Sequence, residues 1–183
     1  MRIIAGTLKG RRLDAPTWEG LRPTSDKLRE TLFNVLAPRL PDARVVDGFA
    51  GTGAIGIEAL SRGAAEVAFI ERDGRAVALI EANLARCGVQ TGYAMVRAPF
   101  ERAVHSLAGE YDIIVLDPPY HQGNGDEVAQ MVEAAAPAMT KDAVLVLEHA
   151  KRSVTPDSTV SLTRTRQIVS GDSALSFYAR RSD

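Results

Sequence analysis

Short apolar runs alternate along this chain with longer stretches whose apolar positions recur every three or four residues. The runs predict strands and the stretches predict helices. Val45-Val46, Val67–Ile70, Tyr93–Val96, Ile113–Leu116 and Val144–Leu147 read as five strands. The intervening segments read as helices over about Ile55–Ser61, Gly74–Cys87, Glu101–Leu107 and Glu127–Ala136. Upstream, Thr24 is the expected N-cap of a helix through Leu36, with Leu28, Leu32, Phe33 and Leu36 on one face and Pro38 and Pro41 ending it.

Repeated strand–helix units with apolar strands imply an α/β fold with a parallel sheet covered on both faces. The two ends differ. Arg2-Ile3-Ile4 and Arg11-Arg12-Leu13, joined by a glycine-containing turn, predict an N-terminal hairpin over residues 1–20. Val160–Thr163 and Ser176–Tyr178, separated by Ser170-Gly171-Asp172, are β-prone and free to pair antiparallel. No repeat or domain linker interrupts the chain, so a single domain over 1–183 is expected, with 1–20 as a hairpin extension of a core at 21–183.

Asp47-Gly48-Phe49-Ala50-Gly51-Thr52-Gly53 lies where the first strand passes into the first helix of the alternating region. Glycines there permit a tight turn and close approach of backbone to a ligand. Gly51-Thr52-Gly53-Ala54-Ile55-Gly56 also fits the dinucleotide pattern, and Glu71 stands where a ribose-binding acid belongs. Two cofactors are therefore open at this point, a nicotinamide dinucleotide and S-adenosylmethionine. Asp47 favours the second. A carboxylate just ahead of the turn repels a pyrophosphate and suits a cofactor carrying an amino group and a sulfonium.

Asp117-Pro118-Pro119-Tyr120 directly follows the fourth strand. The prolines stiffen the backbone, so the Asp117 carboxylate and the Pro118 carbonyl can act as two fixed acceptors. Two such acceptors hold the hydrogens of an aromatic amine and turn its lone pair toward an electrophile. Tyr120 can stack on a base or face a sulfonium.

Composition narrows the setting. The 183 residues are 45% hydrophobic and 25% charged, with a formal net charge of −1. No apolar run approaches membrane-spanning length and no secretory signal opens the chain, so a cytoplasmic location is expected. The single cysteine, Cys87, has no internal disulfide partner and reads as packing, and no Cys/His cluster suggests a metal. The near-neutral total hides a basic start. Arg2, Lys9, Arg11 and Arg12 precede the first acid, Asp14, and Arg22 follows soon after. Such a patch can hold phosphates.

The glycine loop, Glu71 and the Asp-Pro-Pro-Tyr tetrad resemble those of the Rossmann-like class I methyltransferases. More narrowly, Met1–Gly6, Leu21–Thr24, Arg29–Asn34, Glu58–Ala64 and Gly171–Tyr178 resemble the RsmD family of bacterial 16S ribosomal RNA guanine-N2 methyltransferases. The resemblance implies a mostly parallel seven-stranded sheet with antiparallel C-terminal strands and a small N-terminal hairpin. It implies methyl transfer from S-adenosylmethionine to the N2 amine of a guanine in 16S ribosomal RNA, of the guanine-966 type, in an assembled or partly assembled small subunit.

Carried onto this chain, the catalytic positions are Asp117, Pro118, Pro119 and Tyr120. The cofactor positions are Asp47, Phe49, Gly51, Thr52, Gly53, Glu71, Arg72, Ala98, Phe100 and Asp117. The RNA positions are Arg2, Lys9, Arg11, Arg12, Arg22, Thr24 and Tyr120. The segment after the third strand, Arg97-Ala98-Pro99-Phe100, lacks the acid that such enzymes place near the adenine amine, so adenine recognition is assigned to backbone groups and Phe100. Gly48 replaces an apolar residue. Amine methylation of DNA or of a protein glutamine, a nicotinamide-dependent oxidoreductase, and a non-catalytic RNA-binding assembly factor are the alternative readings.

Overall fold

The computed structural model describes residues 1–18, 25–107, 110–119 and 125–181. Seven strands form one sheet in the order β3-β2-β1-β4-β5-β7-β6. β1 (Arg44–Gly48), β2 (Glu66–Ile70), β3 (Tyr93–Val96), β4 (Tyr111–Leu116) and β5 (Met139–Ala150) run parallel. β7 (Ser173–Arg180) adds antiparallel to β5, and β6 (Leu162–Ser170) closes the edge antiparallel to β7. The strand order reverses between β1 and β4. Their carboxyl ends therefore frame a crevice of the kind in which α/β proteins bind ligands.

The sheet is apolar on both faces because it is covered on both. On one face Val45, Val67, Phe69, Val115, Val146, Leu175 and Phe177 pack with buried residues of α1 (Asp26–Leu36), α2 (Ala54–Ser61) and α3 (Gly74–Arg86). On the other, Val46, Ile114, Leu116, Leu145, Leu147 and Tyr178 meet α4 (Phe100–Val104) and α5 (Gly125–Ala134). The division follows the period-2 alternation of each strand.

Three expectations change in detail. The N-cap of α1 is Ser25, whose hydroxyl accepts from the Leu28 amide; Thr24 lies outside the described residues. The N-terminal hairpin is short, one antiparallel bridge between Arg2 and Arg12 flanked by hydrogen bonds from the Ile3 amide to the Arg11 carbonyl and from the Leu13 amide to the Met1 carbonyl. Donors that would extend it go to α2 instead. Ile4 and Ala5 amides donate to Glu58, and the Thr7 amide to the Ser61 carbonyl. Gly6 makes this docking possible, since a Cβ there would lie 1.8 Å from the Ser61 carbonyl oxygen.

The sixth strand begins at Leu162 and runs to Ser170, whereas Val160 stands 85% exposed outside it. β6 carries Arg164, Arg166 and Gln167, and such polar residues blunt an exposed sheet edge while hiding the strand from an apolar-run reading. Gly171-Asp172 makes the tight turn into β7 as expected. Cys87 is buried, and burial pushes its thiol pKa up. No helix among the described residues is long and apolar enough to cross a membrane.

Candidate active site

Parallel register sets the site. Asp47 pairs with Val115, and Gly48 with Leu116, so the glycine loop leaves β1 beside the Asp-Pro-Pro segment leaving β4. The Asp117 amide remains alongside, 3.4 Å from the Gly48 carbonyl oxygen. The two motifs, far apart in the chain, thus line one crevice.

The loop holds an unusual backbone. Phe49, Gly51 and Gly53 all have positive φ, at 78°, 56° and 75°. Glycine adopts that region freely, but Phe49 does so at a cost that its surroundings must offset. The Phe49 and Ala50 amides both donate to the Ile70 carbonyl at 3.0 Å, and the Phe49 ring leans on Phe100 with centroids 5.4 Å apart. Phe100 is itself buried at the start of α4, so it supports Phe49 from beneath. This arrangement explains Gly48. A Cβ there would come within 2.9 Å of the Phe100 ring and 2.7 Å of Leu116.

Two carboxylates are fastened to this loop. Glu71, just past β2, accepts from the Gly51 amide at 2.9 Å and from the Asp73 amide at 2.8 Å. Both oxygens are oriented, and each keeps a further lone pair for a ribose hydroxyl. Asp47 is buried at the end of β1 and accepts from the Gly56 amide of α2 at 2.8 Å. Burial pushes its pKa up to about 8, against the opposing effect of the Gly56 hydrogen bond, and the nearby Asp117 and Glu71 carboxylates push the same way. Three carboxylates, those of Asp47, Asp117 and Glu71, thus stand close enough to feel one another's charge. Among the described residues, no group of three or more His, Cys, Asp or Glu is placed to hold a metal ion.

Of the other expected positions, Thr52 is buried within the loop, Arg72 is exposed just beyond Glu71, and Ala98 is half-buried after β3. Pro118 and Pro119 follow Asp117. Arg2, Lys9, Arg11 and Arg12 are all exposed. Arg11 reaches the Arg86 carbonyl at the carboxyl end of α3. Arg22, Thr24 and Tyr120 lie outside the described residues.

A family model described as Conserved hypothetical protein 95 matches residues 1–179. The ribosomal RNA small subunit methyltransferase D of Escherichia coli is 43% identical over 136 residues, 73% of this chain and 67% of that protein. The chain belongs to the RsmD family. Bacillus subtilis YlbH, provisionally named an rRNA methyltransferase, is 36% identical over 152 residues, 81% of this chain and 82% of its own. Among solved structures, E. coli YhhF superimposes with a TM-score of 0.85 at 32% identity, covering 100% of this chain and 99% of that one.

Side chains that positional reasoning overlooked brace the RsmD-type site from behind. Asn83, buried on α3, donates to the Thr52 carbonyl at 3.0 Å and exchanges hydrogen bonds with the Asp14 backbone. It ties the glycine loop and the N-terminal segment to one helix. Glu58, buried on α2, accepts from Ile4, Ala5 and Arg62, with the buried Arg29 of α1 3.9 Å away. A signal existed for Asn83 and for Arg29. Asn83 and Arg29 occupy positions on the apolar faces of their helices, where a polar residue requires partners.

Proposed function

We propose that this protein transfers a methyl group from S-adenosylmethionine to the exocyclic N2 amine of a guanine in 16S ribosomal RNA, of the guanine-966 type. The observation that carries the reading is the meeting of the two motifs at the β1–β4 crevice, with Asp117 beside a loop whose carboxylates favour a cation. The named activity of the rRNA methyltransferase relatives supports the same reading.

The residues fit the cofactor. The left-handed Gly51 and Gly53 let backbone approach it, Glu71 is oriented for ribose hydroxyls, and Asp47 faces the cationic end. Adenine recognition is assigned to backbone groups near Ala98 and to Phe100, with Arg72 just beyond Glu71. The bound cofactor supplies an electrophilic methyl carbon, so no covalent enzyme intermediate is needed. Asp117 and the Pro118 carbonyl hold the two amine hydrogens and point the nitrogen lone pair at that carbon. Tyr120 stacks on the base. Orientation of two bound reactants lowers such a barrier by roughly 7–11 kcal/mol. Asp117 stabilises charge first and accepts a proton second, because the nitrogen becomes acidic only as the bond forms.

A nicotinamide dinucleotide is disfavoured because its pyrophosphate gives no use to a buried acid at the end of β1, whereas a cation stabilises the ionised form of Asp47. The exposed Arg2, Lys9, Arg11 and Arg12 are assigned to RNA phosphates, with Arg22 and Thr24 beyond them in sequence. A target base within a helix must be turned out to reach the crevice. The test is Asp117→Ala. Cofactor affinity by calorimetry is expected to stay within a few-fold while methyl transfer to small subunits is lost. Near-normal turnover would refute the role.

A further inference from the structure

Glu148, near the carboxyl end of β5, has no part in the site described so far. It is a charged residue only 5% exposed. Acidic side chains are seldom buried this far unless they are paired. What its place in the register adds is a second acid beside it. β4 and β5 pair Val115 with Val146 and Leu116 with Leu147, so Glu148 stands beside the position that Asp117 takes as the chain leaves β4. Adjacent strands are about 4.8 Å apart.

The face is the same as well. Val146 belongs to the core on the α1–α2–α3 side, and Glu148 follows it by two residues. Its cross-strand partner on β7, Leu175, belongs to that core too. Asp47 follows Val45, and Asp117 follows Val115, by the same step from the same core. His149 faces the other way and bonds Ser176 within the opposite layer. Asp117 and Glu148 therefore stand side by side where β4 and β5 end, on the face that also carries Asp47, which lies one pleat back, level with Val115 and Val146.

We infer that Glu148 is the residue that selects guanine, by accepting the N1–H of the base whose N2 amine is held by Asp117 and Pro118. The inference rests on the guanine-N2 reading above. An acceptor pair after β4 is satisfied by any exocyclic amine and cannot distinguish bases. What separates guanine is the atom beside the amine. In guanine the ring nitrogen next to it carries a hydrogen. In adenine and cytosine it carries a lone pair, which a neighbouring carboxylate repels. An acceptor one strand over from Asp117 is where that difference can be read.

The test compares small-subunit RNA carrying guanine or 2-aminopurine at the target position. 2-Aminopurine keeps the N2 amine but presents a lone pair at N1. Wild-type protein and the Glu148→Gln variant are assayed for kcat/KM on each, with cofactor affinity and Tm as controls for folding. Wild type is expected to prefer guanine by at least about 10-fold, the size of one hydrogen bond to a charged group. A side-chain amide in place of the carboxylate can donate to N1, so the Glu148→Gln preference is expected to fall by about 10-fold or more, with cofactor affinity unchanged. An unchanged preference, or a cofactor affinity weakened more than 10-fold, overturns the assignment while leaving the guanine reading standing. Absence of N2-methylguanosine with wild-type protein removes both.

Discussion

The strongest quantitative consequence of the site concerns Asp47 and pH. Its carboxyl is raised from an ordinary 3.8 to about 8, chiefly because burial disfavours the charged form. The folded chain therefore holds a proton at neutral pH that the unfolded chain has released. Stability from this group is complete at low pH and is lost as pH rises from about 4 through about 8. A cationic cofactor reverses the preference, since it favours ionised Asp47. Binding below pH 8 should then release a proton, and affinity should rise by up to about 10-fold per pH unit, or about 100-fold between pH 6 and pH 8, before levelling off. Calorimetry at pH 7 in two buffers of different ionisation enthalpy measures the release directly. Asp47→Asn should abolish it, flatten the pH profile and bind the cofactor more weakly at pH 8. Its Tm relative to wild type should climb between pH 6 and pH 9. Equal proton release and equal pH slopes in the two proteins would refute this reasoning.

Other consequences follow from packing and charge. Gly48→Ala forces a methyl group against Phe100 and Leu116 and should cost about 1–3 kcal/mol in urea unfolding, with cofactor affinity reduced because Phe49 must shift. Asn83→Ala leaves the Asp14 amide and the Thr52 carbonyl without their partner and should destabilise by about 1–3 kcal/mol, seen as a lower urea midpoint. Arg11→Ala with Arg12→Ala should weaken RNA binding uniformly across sequences and reduce the slope of log affinity against log salt by about 2 in a filter-binding titration.

The central sheet was legible because its strands are buried on both faces and so appear as unbroken apolar runs. The glycine loop and the Asp-Pro-Pro segment were legible because both obey local rules. Each sits at a strand end, where backbone geometry demands those residue types. What escaped was tertiary. β6 is an edge strand whose arginines and glutamine suit solvent, so no apolar run marks it. The N-terminal segment contains β-prone residues, yet Glu58 and Ser61 of α2 capture its backbone groups, and no local pattern announces a partner more than fifty residues away. Glu148 is a similar case. Its chemistry depends on being one strand from Asp117, a relation the register creates.

The account stands on methyl transfer to one guanine amine, and nucleoside mass spectrometry reads that product directly. Purified protein incubated with methyl-labelled S-adenosylmethionine and small subunits lacking the modification should place the label in N2-methylguanosine, with none when Asp117→Ala replaces wild type. Label in another nucleoside, in ribosomal protein, or nowhere would contradict it.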